Sequence, residues 1–128
     1  MLFRSIPRQA TAGSFYLLAH LLQKAELDLG SLKMIEPPAR NESDVALAVA
    51  EDRADAGLAV EAVCRQMRLA FVPLVEERYD IAVWRRDFFE APMQRLLEFA
   101  RSAAFKEKAK ALGGYDVSNL GTIHLNGP

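Results

Sequence analysis

The chain has 128 residues, is 51% hydrophobic and carries a formal net charge of −1. That is enough chain for one domain with a real core, and too little net charge for the broad basic footprint of a nucleic-acid binder. One cysteine rules out an internal disulfide, the longest apolar runs are far too short to span a bilayer, and MLFRSIPRQ lacks the apolar core of a signal peptide, so the sequence reads as soluble and cytoplasmic.

Residues 2–6 can form a first strand. Residues 13–26 read as an amphipathic helix, with Leu17, Leu18, Leu21, Leu22 and Ala25 on one face. Residues 32–36 form a second strand, stopped by Pro37-Pro38. A helix over 43–53 follows, with Ser43 or Asp44 as its cap. Residues 56–60 are a strand, 61–67 a helix, 70–75 a strand, and 78–84 a further extended run. Two helices close the chain: 92–100, opening on proline, and 102–112, with Ser102 as cap and Gly113-Gly114 as stop. Strands alternating with helices define an α/β fold, a three-layer lobe with a mainly parallel central sheet. In such sheets ligands bind beyond the carboxyl ends of the strands.

The loop Arg8-Gln9-Ala10-Thr11-Ala12-Gly13-Ser14 falls between the first strand and the first helix. A helix N-terminus leaves amide donors unpaired and carries positive partial charge, which suits an anion. Thr11 and Ser14 add hydroxyls, Gly13 lets a ligand approach the backbone, and Arg8 can supply charge from the strand end. The plainer reading is an ordinary strand-to-helix turn with a hydroxyl cap. Asn41-Glu42-Ser43-Asp44 opens the second helix; Ser43 could meet an anion there, but Glu42 and Asp44 repel anions and complement the helix dipole. The charges of Glu76-Glu77-Arg78-Tyr79-Asp80 suit a solvated strand edge.

Catalytic and metal chemistry is weakly signalled. His20 and His124 have no ligand spacing, and Cys64 on a short helix reads as packing. The acid pairs Glu51-Asp52 and Glu76-Glu77 are adjacent in sequence, so their side chains diverge in regular structure. No Walker-type glycine loop is present, and the basic clusters 65–68 and 85–86 lack aromatic platforms for bases. The expectation is a non-enzymatic domain without a cofactor or resident metal.

Three blocks carry a family resemblance. Residues 48–59 read AVAEDRADAGLA, 71–81 read FVPLVEERYDI and 113–121 read GGYDVSNLG. They resemble the patterns A-V-A-x-G-x-A-D-x-G-L-G, F-V-P-L-x-E-E-R-Y-D-L and G-G-Y-D-x-S-x-x-G. Those patterns belong to the molybdate-binding-like domain of the type 2 periplasmic-binding-protein fold, found attached to molybdopterin-biosynthesis proteins and to helix-turn-helix (LysR-type) regulators. The resemblance runs from about Arg8 to Gly121, with Asp52 and Ala59 standing where the pattern has glycines.

The resemblance implies a substrate-binding or sensor domain for a small ligand, molybdate or tungstate among the oxyanions. Ligand contacts would fall on Arg8, Thr11, Gly13, Ser14, Ser43 and Tyr79. It also implies that Glu77, Arg78 and Tyr79 lie where the chain crosses between two lobes, at a hinge or facing the cleft. The related domain reads R-Q-x-G-S-G-T-R-x-L-L at the first loop; here Ala12 replaces a serine and Phe15 an arginine. Each lost charge-assisted donor weakens binding of a doubly charged anion by roughly 1.5–3 kcal/mol. The competing reading is a structural or oligomerisation domain that has lost its ligand. A two-lobed domain needs more chain, so the sequence reads as one lobe plus returning C-terminal helices. Surface around Trp84, Phe88, Phe89 and helix 92–100 is then expected to meet a companion lobe or a second copy.

Overall fold

The computed structural model describes residues 3–127, so Leu2 of the expected first strand lies outside the described residues. These residues fall into two compact units divided between Val72 and Pro73, inside the FVPLVEERYDI block.

The first unit is α/β. Strand β1 (Arg4–Ile6) is central, with β2 (Lys33–Met34) on one side and β3 (Ala56–Gly57) on the other. Both pairings are parallel: Arg4 lies opposite Lys33, Ser5 opposite both Met34 and Ala56, and Ile6 opposite Gly57. Parallel neighbours require crossovers. Helix α1 (Gly13–Lys24) and a 3-10 turn (Leu29–Ser31) lie between β1 and β2, α2 (Glu42–Ala50) between β2 and β3, and α3 (Glu61–Gln66) follows β3. Ile6, Ala39, Val45, Ala48 and Ala54 form the core, with Ile35, Val49 and Ala59 packed against it. The core face of α2 is small (Val45, Ala46, Ala48), which lets the helix lie close on the sheet.

One polar staple ties the start of β1 to the turn before β3. The Arg4 amide donates to Asp55 Oδ2 at 2.6 Å, its guanidinium Nη2 donates to Asp55 Oδ1 at 2.8 Å, and the Asp55 amide donates back to the Arg4 carbonyl at 2.8 Å. Arg4 Nη1 also takes the Asp52 carbonyl at 3.0 Å.

The helices of this unit stop one to three residues earlier than the sequence pattern implies, and the cause is local. After α2, the Arg53 amide bonds the Ala48 carbonyl and the Asp52 amide bonds the Val49 carbonyl, with Asp52 at φ 57°. This is the 6→1, 5→2 pairing of a left-handed helix terminator, a position that favours glycine. The pattern that this stretch resembles carries glycine at the place of Asp52, the residue such a terminator favours. The same pairing ends α1 with Glu26 at φ 57° and α3 with Arg68 at φ 56°. A left-handed residue with a Cβ costs roughly 1–2 kcal/mol, partly offset by the roughly 0.4–1 kcal/mol of chain entropy that glycine adds to the unfolded state. Glu26→Gly and Arg68→Gly are therefore each expected to stabilise the protein by about 0.5–1 kcal/mol, read as a raised urea midpoint. A lowered midpoint for both would refute this account of the helix ends.

The cap of α2 also differs from expectation. Neither Ser43 nor Asp44 is the N-cap; Asn41 is, its side chain accepting from the Asp44 amide at 2.8 Å while Asp44 Oδ2 accepts from the Arg40 amide at 3.2 Å. The exchange satisfies two donors at once and starts the helix one residue earlier.

The expected strand over 70–75 and the extended run over 78–84 join no ladder, and every residue of 70–84 is exposed. A strand is held by a neighbour that pairs its amides and carbonyls, and the described residues provide none for these runs. The sheet thus has three strands rather than the four or more the apolar runs suggest.

The second unit is helical where it is regular. A short helix α4 (Arg85–Phe88), absent from the sequence expectation, leads to α5 (Ala91–Arg101) and α6 (Ala103–Leu112). Pro92 sits in the first turn of α5, where a missing amide costs nothing. Ser102 caps α6 by accepting from the Phe105 amide at 3.2 Å, and Gly113 at φ 81° ends it, as the sequence indicates. Leu97 of α5 and Ala109 of α6 are buried. Among the described residues no helix is long and apolar enough to cross a membrane.

Candidate functional site

The carboxyl ends of β1 and β2 run on side by side beyond the ladder. The Ala39 amide donates to the Pro7 carbonyl at 2.8 Å, and Arg8 forms a parallel bridge with Ala39. This brings the loop before α1 beside the loop before α2, at the edge where a parallel sheet presents its ligands.

Arg8 is the centre of this edge. Its Nη2 donates to the Arg40 carbonyl at 3.2 Å, its Nη1 lies 4.0 Å from Glu42 Oε1, and its Nε is buried without a hydrogen-bond partner. Next to it in the chain, α1 begins at Gly13 with Ala12 as a cap residue that offers no side-chain acceptor. The loop turns through a bond from the Ala12 amide to the Gln9 carbonyl at 2.9 Å. Among the described residues, Ser14 Oγ is the other buried side-chain polar atom left without a partner. Gly13 faces open space, since a Cβ there would meet nothing within 4 Å. Thr11 is exposed at the mouth of the loop. Arg8, Thr11, Gly13 and Ser14 thus belong to one strand-to-helix turn with unspent donors, and the hydroxyl cap of the plainer reading is not made.

The α2 end differs. Asn41 and Asp44 pair in its first turn, and Ser43 is exposed and takes no part in that exchange. Tyr79 lies in the second unit, 90% exposed, beside an Arg78–Asp80 ion pair of 3.0 Å. Neither Ser43 nor Tyr79 is drawn into the cluster around Arg8 by any hydrogen bond found among the described residues.

Glu42 is the member of this edge that the sequence pattern misses. Read only as a complement to the helix dipole, it in fact reaches across the edge. Its Oε2 accepts from the Val60 amide at 2.7 Å, tying the loop after β3 to α2, while Oε1 faces Arg8. Its position at the first residue of a helix that follows a strand is the only signal in the chain that could have marked it. Its charge partly neutralises Arg8 and lowers the pull of the edge on a doubly charged anion. Cys64, on the buried face of α3, has its thiol pushed up by burial, with the Glu42 and Glu61 charges adding to the shift. Among the described residues no group of three or more His, Cys, Asp or Glu side chains could hold a metal ion.

A parallel α/β lobe with loop donors gathered at the carboxyl edge of its sheet is the architecture of a binding domain. The chain belongs to the periplasmic-binding-protein (PBP) superfamily, whose domain model matches residues 3–101. It is 34% identical over 80 residues to an uncharacterized protein in the ferredoxin 2Fe-2S gene 5′ region of Clostridium pasteurianum, covering 62% of this chain and 71% of that one. It is 29% identical over 77 residues to the uncharacterized protein YvgK of Bacillus subtilis (strain 168), covering 60% of this chain but only 24% of that longer protein. No solved structure matches.

Proposed function

We propose that the first unit holds a small oxygen-rich ligand at the N-terminus of α1, as part of a sensor or delivery protein. The observation that carries this reading is the pair of buried, unpartnered polar atoms, Arg8 Nε and Ser14 Oγ, beside a helix start without a side-chain cap. A buried polar group without a partner costs roughly 1–3 kcal/mol, and a ligand that opened this turn and bonded either atom would offset that cost. Thr11 and the backbone at Gly13 complete the contact set. In a two-lobed parent, binding would shift a population of open and closed states, and the readout would be DNA binding by an attached regulator or delivery to a molybdopterin-assembly enzyme.

The ligand class follows from charge. Glu42 opposes Arg8, Ala12 offers no hydroxyl and Phe15 no guanidinium. A neutral or singly charged ligand therefore fits better than molybdate or tungstate. The same features favour a second reading, a structural domain whose oxyanion site is spent.

Calorimetry with molybdate, tungstate, sulfate and acetate on the wild type, Arg8→Ala and an Ala12→Ser, Phe15→Arg double variant separates the readings. Molybdate is expected to bind the wild type weakly or not at all, and the double variant at least about tenfold more tightly, in line with one or two regained charge-assisted bonds. Tight molybdate binding by the wild type would overturn the argument from lost donors. If none of the four anions binds any variant, and Arg8→Ala is as stable as the wild type, the ligand-free reading replaces this one.

A further inference from the structure

Asparagine stands at positions 41, 119 and 126, and only Asn126 precedes a glycine. An asparagine side chain can close on the backbone amide of the next residue, because the ring that forms is small and unstrained. Two restraints oppose the closure. A Cβ on the next residue crowds the approach, and glycine has none. Hydrogen bonds can also hold the side chain or the amide elsewhere.

Both restraints act at the first two positions. Asn41 is the N-cap of α2, and its side chain is held by the Asp44 amide at 2.8 Å. The residue after it, Glu42, carries a Cβ and is the first of the helix. At Asn119 the next amide is already spent, the Leu120 N–H donating to the Val117 carbonyl at 3.3 Å. The Asn119 carbonyl in turn accepts from the Thr122 amide at 3.1 Å, so that turn is closed on both sides. Neither restraint acts at Asn126. It is exposed and lies outside every helix and strand. No hydrogen bond found among the described residues engages its side chain or the Gly127 amide. A Cβ placed on Gly127 would meet nothing within 4 Å, so nothing stands against the Asn126 side chain from that direction either.

We propose that Asn126 is a site of spontaneous deamidation, through a succinimide closed on the Gly127 amide. The Gly127 nitrogen attacks Asn126 Cγ and a Cγ–N bond forms. The Cγ–Nδ2 bond breaks, the Gly127 amide proton passes to Nδ2, and ammonia leaves. Solvent water then adds to one of the two imide carbonyls and breaks its bond to the Gly127 nitrogen, which takes back a proton. Opening at Cγ leaves isomer-free aspartate with the original main chain. Opening at the Asn126 backbone carbonyl leaves isoaspartate, with the main chain routed through the side-chain methylene. Nothing is oxidised or reduced: ammonia is exchanged for water. Either product adds one carboxylate, so the formal net charge of −1 becomes one unit more negative. The proposal is independent of what the first unit binds.

Timed incubation of the full chain in neutral and mildly alkaline buffer tests this, read by peptide mass spectrometry. Trypsin cuts after Lys110 and releases Asn119 and Asn126 on one peptide, so each serves as the other's control. The amide-to-acid mass gain is expected at Asn126 and to form faster as pH rises, because the Gly127 amide attacks as its anion. Asn41 and Asn119 are expected to react at least about tenfold more slowly, a barrier higher by about 1.4 kcal/mol or more. Gly127→Val is expected to slow Asn126 by about tenfold or more as well, and its fold is expected to survive because the new side chain faces open space. Unfolding in guanidinium chloride is expected to leave the Asn126 rate close to its native value, since no fold restrains it. An Asn126 that reacts no faster than Asn119 overturns the proposal. So does a rate at Asn126 that rises about tenfold on unfolding, which would mean that the folded chain shields it. A Gly127→Val variant that reacts like the wild type overturns the route through the Gly127 amide.

Discussion

Gly57→Ala is expected to destabilise the protein by about 1–3 kcal/mol, the usual cost of forcing one methyl group into a packed core. Gly57 pairs with Ile6 in the sheet, and α2 lies directly on it. A Cβ at this position would stand 2.6 Å from Ile6 Cγ2 and 3.3 Å from the Ile6 carbonyl oxygen, and would press harder still on Val45 Cγ1. Ile6 and Val45 are among the most buried side chains in the molecule, so neither has solvent to move into. Relief has to come from lifting α2 off the sheet, which opens the core on either side. Urea unfolding reads the effect as a lower midpoint at unchanged slope. Val45→Ala removes the opposing methyl groups, so the double variant is expected to be more stable than the two single losses summed. An alanine variant with the wild-type midpoint, or strictly additive losses, would show that α2 does not sit on Gly57 as described.

Acid is expected to weaken the first unit through Asp55. The Arg4 guanidinium and the Arg4 amide hold the Asp55 carboxyl below the usual carboxylate range, while Arg4 itself is held still more firmly protonated. The sign follows from linkage. The folded carboxylate gives up its proton more readily than the unfolded one, so its stabilisation is complete above about pH 4 and is lost as pH falls through the lowered folded value. Asp116, held low by the Ser118 hydroxyl and amide, contributes with the same sign in the second unit. Asp55→Asn keeps the shape but not the charge. It is expected to lower the thermal midpoint at neutral pH and to flatten the fall in stability between about pH 4 and pH 2. A variant whose acid profile superimposes on that of the wild type would remove the staple from the list of what holds β1 to β3.

The order of elements in the first unit was legible because it is written in local periodicity. The apolar spacing of residues 17–25, the stop at Pro37-Pro38 and the small-residue run before Gly57 each act within one turn or one strand, and each element formed where that pattern lies. The helix ends were not legible. Glycine is the usual stop signal, and here Glu26, Asp52 and Arg68 occupy the left-handed positions instead. Asp52 is of a type tolerated there, and the charged run Glu51-Asp52-Arg53 does mark a turn after the apolar residues 45–50, but Glu26 and Arg68 announce none; at those two positions only the closing of the backbone bonds does.

The loop from Arg8 to Ser14 could likewise be placed at a strand end from sequence alone, because strand, glycine and helix follow in order. What sits opposite it could not. Glu42 is 34 positions from Arg8 and 18 from Val60, and only the parallel pairing of β1 with β2 and β3 brings the three together. The charge of the edge is decided by that pairing.

The apolar runs around Phe71 and Trp84 mark the other limit. Their composition calls for burial, and the apolar pattern reads as strands, which the described residues do not form. Whether a run becomes a strand depends on a neighbour that takes its amides and carbonyls, and the described residues place none beside it. By itself the sequence determined which residues require a partner: the apolar run of residues 45–50, the surface around Trp84 and helix 92–100, the donors before α1. The tertiary structure decided which of those requirements are met within each unit, because burial is a property of pairs of surfaces and a sequence holds only one surface at a time.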